Sequence, residues 1–198
     1  MHEEASEDLQ RVAGLSEDEE FSDSSFKISR NRLPWLIVGL FGELVSAIVL
    51  SSFEASIQQI VVASFFIPIV MAMGGSSGTQ AAIVMVSSIG ESEYWISDSI
   101  RRIFKEFRVA LLNATACGII LLFASHFLFS TDFAFSVILT FSLFIIMINA
   151  TMIGAVIPIL LKKVGIDPAI ATGPFVTTMN DILGLLIYLT LISVFLVS

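Results

Sequence analysis

Phe133–Leu161 reads FAFSVILTFSLFIIMINATMIGAVIPILL and contains no charged residue. About 20 consecutive apolar residues cross a ~30 Å hydrocarbon core as a helix, so this stretch is a transmembrane segment. Working outward, four more runs have the same character. They cover about Pro34–Ser52, Ile57–Ile89, Val109–Phe129 and Ala169–Val197. The second is too long for one straight crossing, and Pro68 and Gly74-Gly75-Ser76-Ser77-Gly78 are expected to interrupt it. The fold class is therefore an all-α membrane protein with five transmembrane helices per chain. The 198 residues are 56% hydrophobic and 14% charged, with mean hydropathy +0.90. Ordinary soluble domains carry roughly 25% charged residues, which sets aside a soluble globular enzyme. A single cysteine excludes a disulfide framework, and there is no Cys/His cluster for zinc.

Charge is distributed unevenly. Residues 1–23 hold Glu3, Glu4, Glu7, Asp8, Glu17, Asp18, Glu19, Glu20 and Asp23 against Arg11, which accounts for the whole net charge of −8. Residues 1–30 read as an acidic cytoplasmic tail, partly disordered or with a short helix around Leu9–Phe26, and residues 31–198 as the membrane domain. No basic n-region precedes an apolar run, so the tail is no signal peptide. Nucleic acid is excluded as a partner by the acidic balance. Arg11, Lys27, Arg30 and Arg32 precede span one, Arg101, Arg102, Lys105 and Arg108 separate spans two and three, and Lys162 and Lys163 separate spans four and five. Five spans put all of these on one side. By the positive-inside rule the N-terminus is then cytoplasmic and the C-terminus outside, in a multi-pass protein of the cell membrane. Glu91–Arg108 reads as an amphipathic interfacial helix, and Trp35 as an interfacial anchor.

Acids within spans carry the chemistry. An Asp at mid-bilayer costs about 2.5–3.5 kcal/mol on insertion scales, so it implies a function. Asp181 lies twelve residues into span five, roughly 18 Å along the helix. Gly173, Thr177 and Asp181 share a face that Gly184 and Tyr188 continue. Such a face suits a water-filled path or a close helix contact. In span two, Gly74 and Gly78 form a GxxxG pair amid Gly75, Ser76, Ser77, Thr79 and Gln80, where the helix is expected to loosen. Glu43, mid-way along span one, reads either as a secondary cation or proton site or as a buried partner at a helix contact. Glu54, at the outer end of the same span, reads either as a further cation or proton site or as a solvated turn residue. Asn113, Asn149 and Thr151 read as interhelical hydrogen-bond partners, His126 as interfacial and Cys117 as a packing residue. Carboxylate, hydroxyl, amide and carbonyl oxygens suit hard cations such as Mg²⁺, Ca²⁺ or Mn²⁺. One acid per chain is thin for a dication, and a twofold dimer would bring two Asp181 side chains to one axis.

Pro68–Val86 (PIVMAMGGSSGTQAAIVMV) and Asp167–Leu189 (DPAIATGPFVTTMNDILGLLIYL) resemble the second and last helices of the MgtE magnesium channels. Arg32–Leu36 (RLPWL) and Ser51–Glu54 (SSFE) are similar to the start and end of their first helix. The resemblance covers about residues 31–198. It implies a homodimeric channel moving Mg²⁺ into the cytoplasm through a pore at the dimer axis. The implied metal ligands are Asp181 and the Thr177 backbone carbonyl, with Gly74, Gly75, Gly78, Thr79, Gln80, Gly173 and Thr178 along the pore and no organic cofactor. Ser76 and Gly173 depart from the family, which often has Asn at the first position and can have it at the second. Family members typically carry a cytoplasmic N domain and a CBS pair. Here about thirty residues precede span one, so the chain reads as a naturally short member or as part of a longer one. Two other functions fit the residues: a proton- or sodium-coupled cation transporter, and a non-conducting membrane scaffold or sensor. An enzyme is not indicated, because the spans hold no nucleophile–base pair.

Overall fold

The computed structural model describes residues 24–90 and 96–196. The acidic segment 1–23, Tyr94 and Trp95 lie outside the described residues. The described chain is helical throughout: α1 (Ser25–Ser52), α2 (Glu54–Gln59), α3 (Val61–Gly90), α4 (Ile96–Leu128), α5 (Phe133–Lys163) and α6 (Pro168–Leu196). All but the short α2 are long and apolar enough to cross a membrane.

Three boundaries differ from the sequence expectation. First, α1 begins at Ser25, ahead of Pro34, because Ser24 caps it: the Ser24 Oγ accepts from the Lys27 N–H at 3.4 Å. Second, α3 is one continuous helix through Pro68 and the glycine-rich run, so the expected interruption is absent. The break falls instead at Ile60 (φ −128°, ψ 71°), after α2. In hydrocarbon an opened backbone must find new partners, which favours keeping the helix closed, and the glycines admit neighbouring helices at close range. Third, residues 96–108 are the first turns of α4 and not a separate helix, since no Gly or Pro intervenes before Gly118.

α5 is the central element and packs on α3, α4 and α6; α3 and α6 also pack on each other, and α1 lies on α6. Phe66, Leu139, Leu143, Ile146, Tyr188, Leu189 and Ile192 form the core between them. Cys117 packs at the edge of that core, as expected. Deep inside, the Tyr188 hydroxyl donates to the Ala63 carbonyl at 2.8 Å. At one end, Lys162 Nζ donates to the Ile89 carbonyl in the last turn of α3, at 3.3 Å. At the other, His126 Nδ1 meets the Thr131 carbonyl at 2.9 Å and Asp132 caps α5 through the Ala134 N–H, also at 2.9 Å.

Of the three expected interhelical hydrogen-bond partners, Thr151 fulfils the role. Its hydroxyl donates to the Met147 carbonyl at 2.8 Å and accepts from Ser77 on α3 at 2.6 Å. Asn113 is exposed and, like Asn149, makes no such bond among the described residues. Thr151→Val leaves the buried Ser77 hydroxyl with only the Met147 carbonyl, 3.5 Å away. We expect it to destabilise the fold by about 0.5–1 kcal/mol, read as a small drop in Tm in detergent. An unchanged Tm would show that Ser77 finds an equivalent partner.

Candidate functional site: a carboxyl pair between the first and last helices

The site rests on how α3 crosses α6. Three contacts fix that crossing: Tyr188 with Ala63, Gly184 with Met71, and Asn180 with Gly78. Asn180, Gly184 and Tyr188 are four apart, so α3 follows one row of the α6 surface. Thr177 and Asp181 lie beside that row. The face expected to run from Gly173 to Tyr188 is therefore divided: Gly184 and Tyr188 are buried against α3, whereas Thr177 is exposed and Asp181 half-buried.

Glycine contacts set the helix separations. A Cβ on Gly184 would meet the Met71 side chain at 3.3 Å, and one on Gly74 would meet Ile146 Cγ2 at 3.0 Å. A Cβ on Gly78 would overlap the Asn180 amide, and one on Gly154 would overlap the Gly78 carbonyl oxygen. Gly74 and Gly78, expected along the pore, are thus turned into the chain, where they let α5 and α6 approach α3. The open side of α3 carries Ala72, Ser76, Thr79 and Gln80, all exposed, with Gly75 half-buried among them. Small and amide side chains are a poor surface to offer lipid tails.

α1 reaches the site through a notch at Gly42. A side chain there would collide with the Thr178 methyl and hydroxyl, so glycine is what lets α1 lie against α6. The next residue, Glu43, stands beside the Asp181 carboxyl, close enough for the two acidic side chains to interact. The two acids that the sequence placed separately in spans one and five therefore form one site within a single chain. Two bare carboxylates this close would repel, so the pair is a natural place for a cation. Glu54 is not part of the site: it lies about 16 Å further along the chain axis by helical rise and accepts from Gln58 Nε2 at 3.0 Å.

Sequence reasoning missed Asn180. It is buried at 3% exposure, and neither amide atom has a hydrogen-bond partner among the described residues. A strong polar side chain next to a mid-span Asp was the available signal. Among the described residues no group of three or more His, Cys, Asp or Glu side chains is placed to hold a metal ion. One chain thus offers a dication two carboxyls, with the exposed Thr177 one turn away.

Comparison with known proteins gives a consistent result. The MgtE family model, described as a divalent cation transporter, matches residues 67–191. A protein of Bacillus subtilis named magnesium transporter MgtE is 37% identical over 98% of this chain. Proteins of the same name from Enterococcus faecalis and Thermus thermophilus are 29% and 28% identical over 98% and 80% of the chain. The chain covers 43%, 43% and 35% of the length of these three relatives.

Proposed function

The chain belongs to the MgtE family of divalent cation transporters, and from that premise we propose that its five spans conduct Mg²⁺ across the cell membrane. The observation that carries the reading is the placement of two carboxyls and a row of small polar residues on open helix surface in the middle of the spans. Glu43 is exposed and Asp181 half-buried, and neither has a cationic partner among the described residues. Ionisable groups in that setting mark ion pathways. Two copies joined across this surface would enclose it, with α3 and α6 of each copy along a common axis. Four carboxyl groups would then face one path.

Hard oxygen donors suit Mg²⁺, which dehydrates reluctantly and is commonly held through its waters by one or two carboxylates. In this homodimer Asp181 holds the hydrated ion, Glu43 orients Asp181 and adds charge, and the Thr177 carbonyl faces the ion one turn away. Thr79, Gln80 and Gly75 line the path beyond, while Gly173 and Thr178 frame its α6 side. The distribution of Lys and Arg supports a cytoplasmic N-terminus and an external C-terminus. Mg²⁺ moves through the path into the cytoplasm, down its electrochemical gradient.

Wild-type protein reconstituted in liposomes is expected to take up Mg²⁺ at clamped voltage with proton and sodium gradients collapsed. Uptake that stops when those gradients collapse would replace the channel with a coupled transporter. Absence of Mg²⁺ flux under every gradient would overturn the reading in favour of a non-conducting scaffold.

A further inference from the structure

α4 packs on α5, away from the helix pair that holds Glu43 and Asp181, and the seam between α4 and α5 is incompletely filled. A groove of about 350 Å³ lies there, lined by Ala114, Thr115, Gly118 and Ile119 from α4 and by Phe141 and Phe144 from α5. Gly118 opens it, since even a Cβ at that position would come within 3.1 Å of the Thr140 methyl. The Thr115 hydroxyl is already bonded to the Leu111 carbonyl at 2.7 Å, so the groove presents an apolar lining.

The same helix face is cationic at one end. Lys105, Arg108, Leu112, Thr115 and Ile119 are spaced three, four, three and four apart, which makes them a single stripe. Lys105 and Arg108 are both exposed and make no ion pair among the described residues. The neighbouring acid, Glu106, is buried and engaged by Arg102 at 3.2 Å. From Arg108 the groove extends from roughly 9 Å (Ala114) to about 21 Å (Leu122) along the helix. One leaflet of hydrocarbon is about 15 Å deep. A cationic pair is thus followed by a slot of apolar side chains whose near half lies within the same leaflet, where the end of an acyl chain would reach it.

We infer that this face holds a phospholipid with an anionic headgroup, its phosphate on Lys105 and Arg108 and one acyl chain in the groove. Basic residues at the membrane-surface end of helix seams are a recurrent way of holding acidic lipids. A zwitterionic lipid would fill the groove too, but its own ammonium competes for the phosphate and leaves no net charge to match the two side chains. The inference needs only that α4 spans the bilayer and does not depend on which ion the protein moves.

Native mass spectrometry of the purified full chain, with equal phosphatidylglycerol and phosphatidylcholine added to the detergent, tests it. Wild type is expected to retain phosphatidylglycerol in preference. Lys105→Gln and Arg108→Gln should each cut that preference about five-fold. Lys105→Arg should keep it. Thr115→Phe, which fills the groove, should reduce retention of both lipids; if that variant fails to fold, the charge variants still decide the matter. Equal retention of the two lipids by wild type, or an unchanged preference in both glutamine variants, would overturn the inference. So would efficient disulfide cross-linking between copies carrying Thr115→Cys and Cys117→Ser in phosphatidylglycerol vesicles, because a second copy would then cover the groove.

Discussion

Asp181→Asn is expected to reduce Mg²⁺ flux into liposomes by more than about two orders of magnitude. A unit-charge pair about 4 Å apart is worth about 4 kcal/mol at an effective dielectric near 20. Removing one carboxylate beside a dication therefore costs at least that factor in occupancy. Asparagine keeps the volume and leaves the seat of Gly42 on Thr178 intact, so α1 stays docked on α6 and the loss is one of charge. Glu43→Gln retains the Asp181 carboxylate and should fall between the variant and wild type. Both proteins would be compared by size-exclusion profile and Tm before the flux assay. Wild-type flux and selectivity in Asp181→Asn would make the carboxyl pair a structural contact and remove the mechanism.

The largest effect on folding is expected at Gly154. An added Cβ would overlap the Gly78 carbonyl oxygen and lie 2.9 Å from the carbonyl carbon and 3.2 Å from the Ala82 nitrogen. All three are backbone atoms of α3, so no rotamer change relieves the clash and the two helices must separate. Overpacking of well-packed interiors commonly costs 1–3 kcal/mol, and Gly154→Val should reach about 3 kcal/mol or more. The readout is loss of monodisperse protein after extraction, or a Tm lowered by many degrees. Gly39→Ala is the control, because a Cβ there meets nothing within 4 Å. If Gly154→Val melts like wild type, α3 and α5 are not held at this separation.

The five spans were legible because lipid leaves little choice: each long apolar run must close its own hydrogen bonds, and the runs here are separated by charge. Less legible was what each irregularity does. Pro68 and the glycines around Gly74 look like helix breakers when read locally. Gly74 and Gly78 have Ile146, Gly154 and Asn180 as partners, seventy or more positions away, and against them these two glycines serve packing. Glu43 and Asp181 could each be singled out by the cost of an acid in hydrocarbon. That they meet depends on α1 lying against α6, which hydropathy does not encode; the decisive clue is Gly42, an ordinary residue until Thr178 is found opposite. The amphipathic reading of the residues before Val109 missed that nothing there stops the helix from continuing.

The docking of α1 has a consequence for the order in which the protein is made. Its main partner, α6, is the last helix of the chain, and Gly42 meets Thr178 across most of the sequence. Ribosomes add about 5–20 residues per second, so α1 waits for α6 for something like ten seconds or longer. During that interval Glu43 is in the bilayer without Asp181, a situation that costs a few kcal/mol. The residues from Pro34 to Ser52 contain no other charge, and their apolar surface alone must keep the helix inserted until its partner is translated. A second acid in that run would be tolerated by the finished protein more readily than by the nascent one.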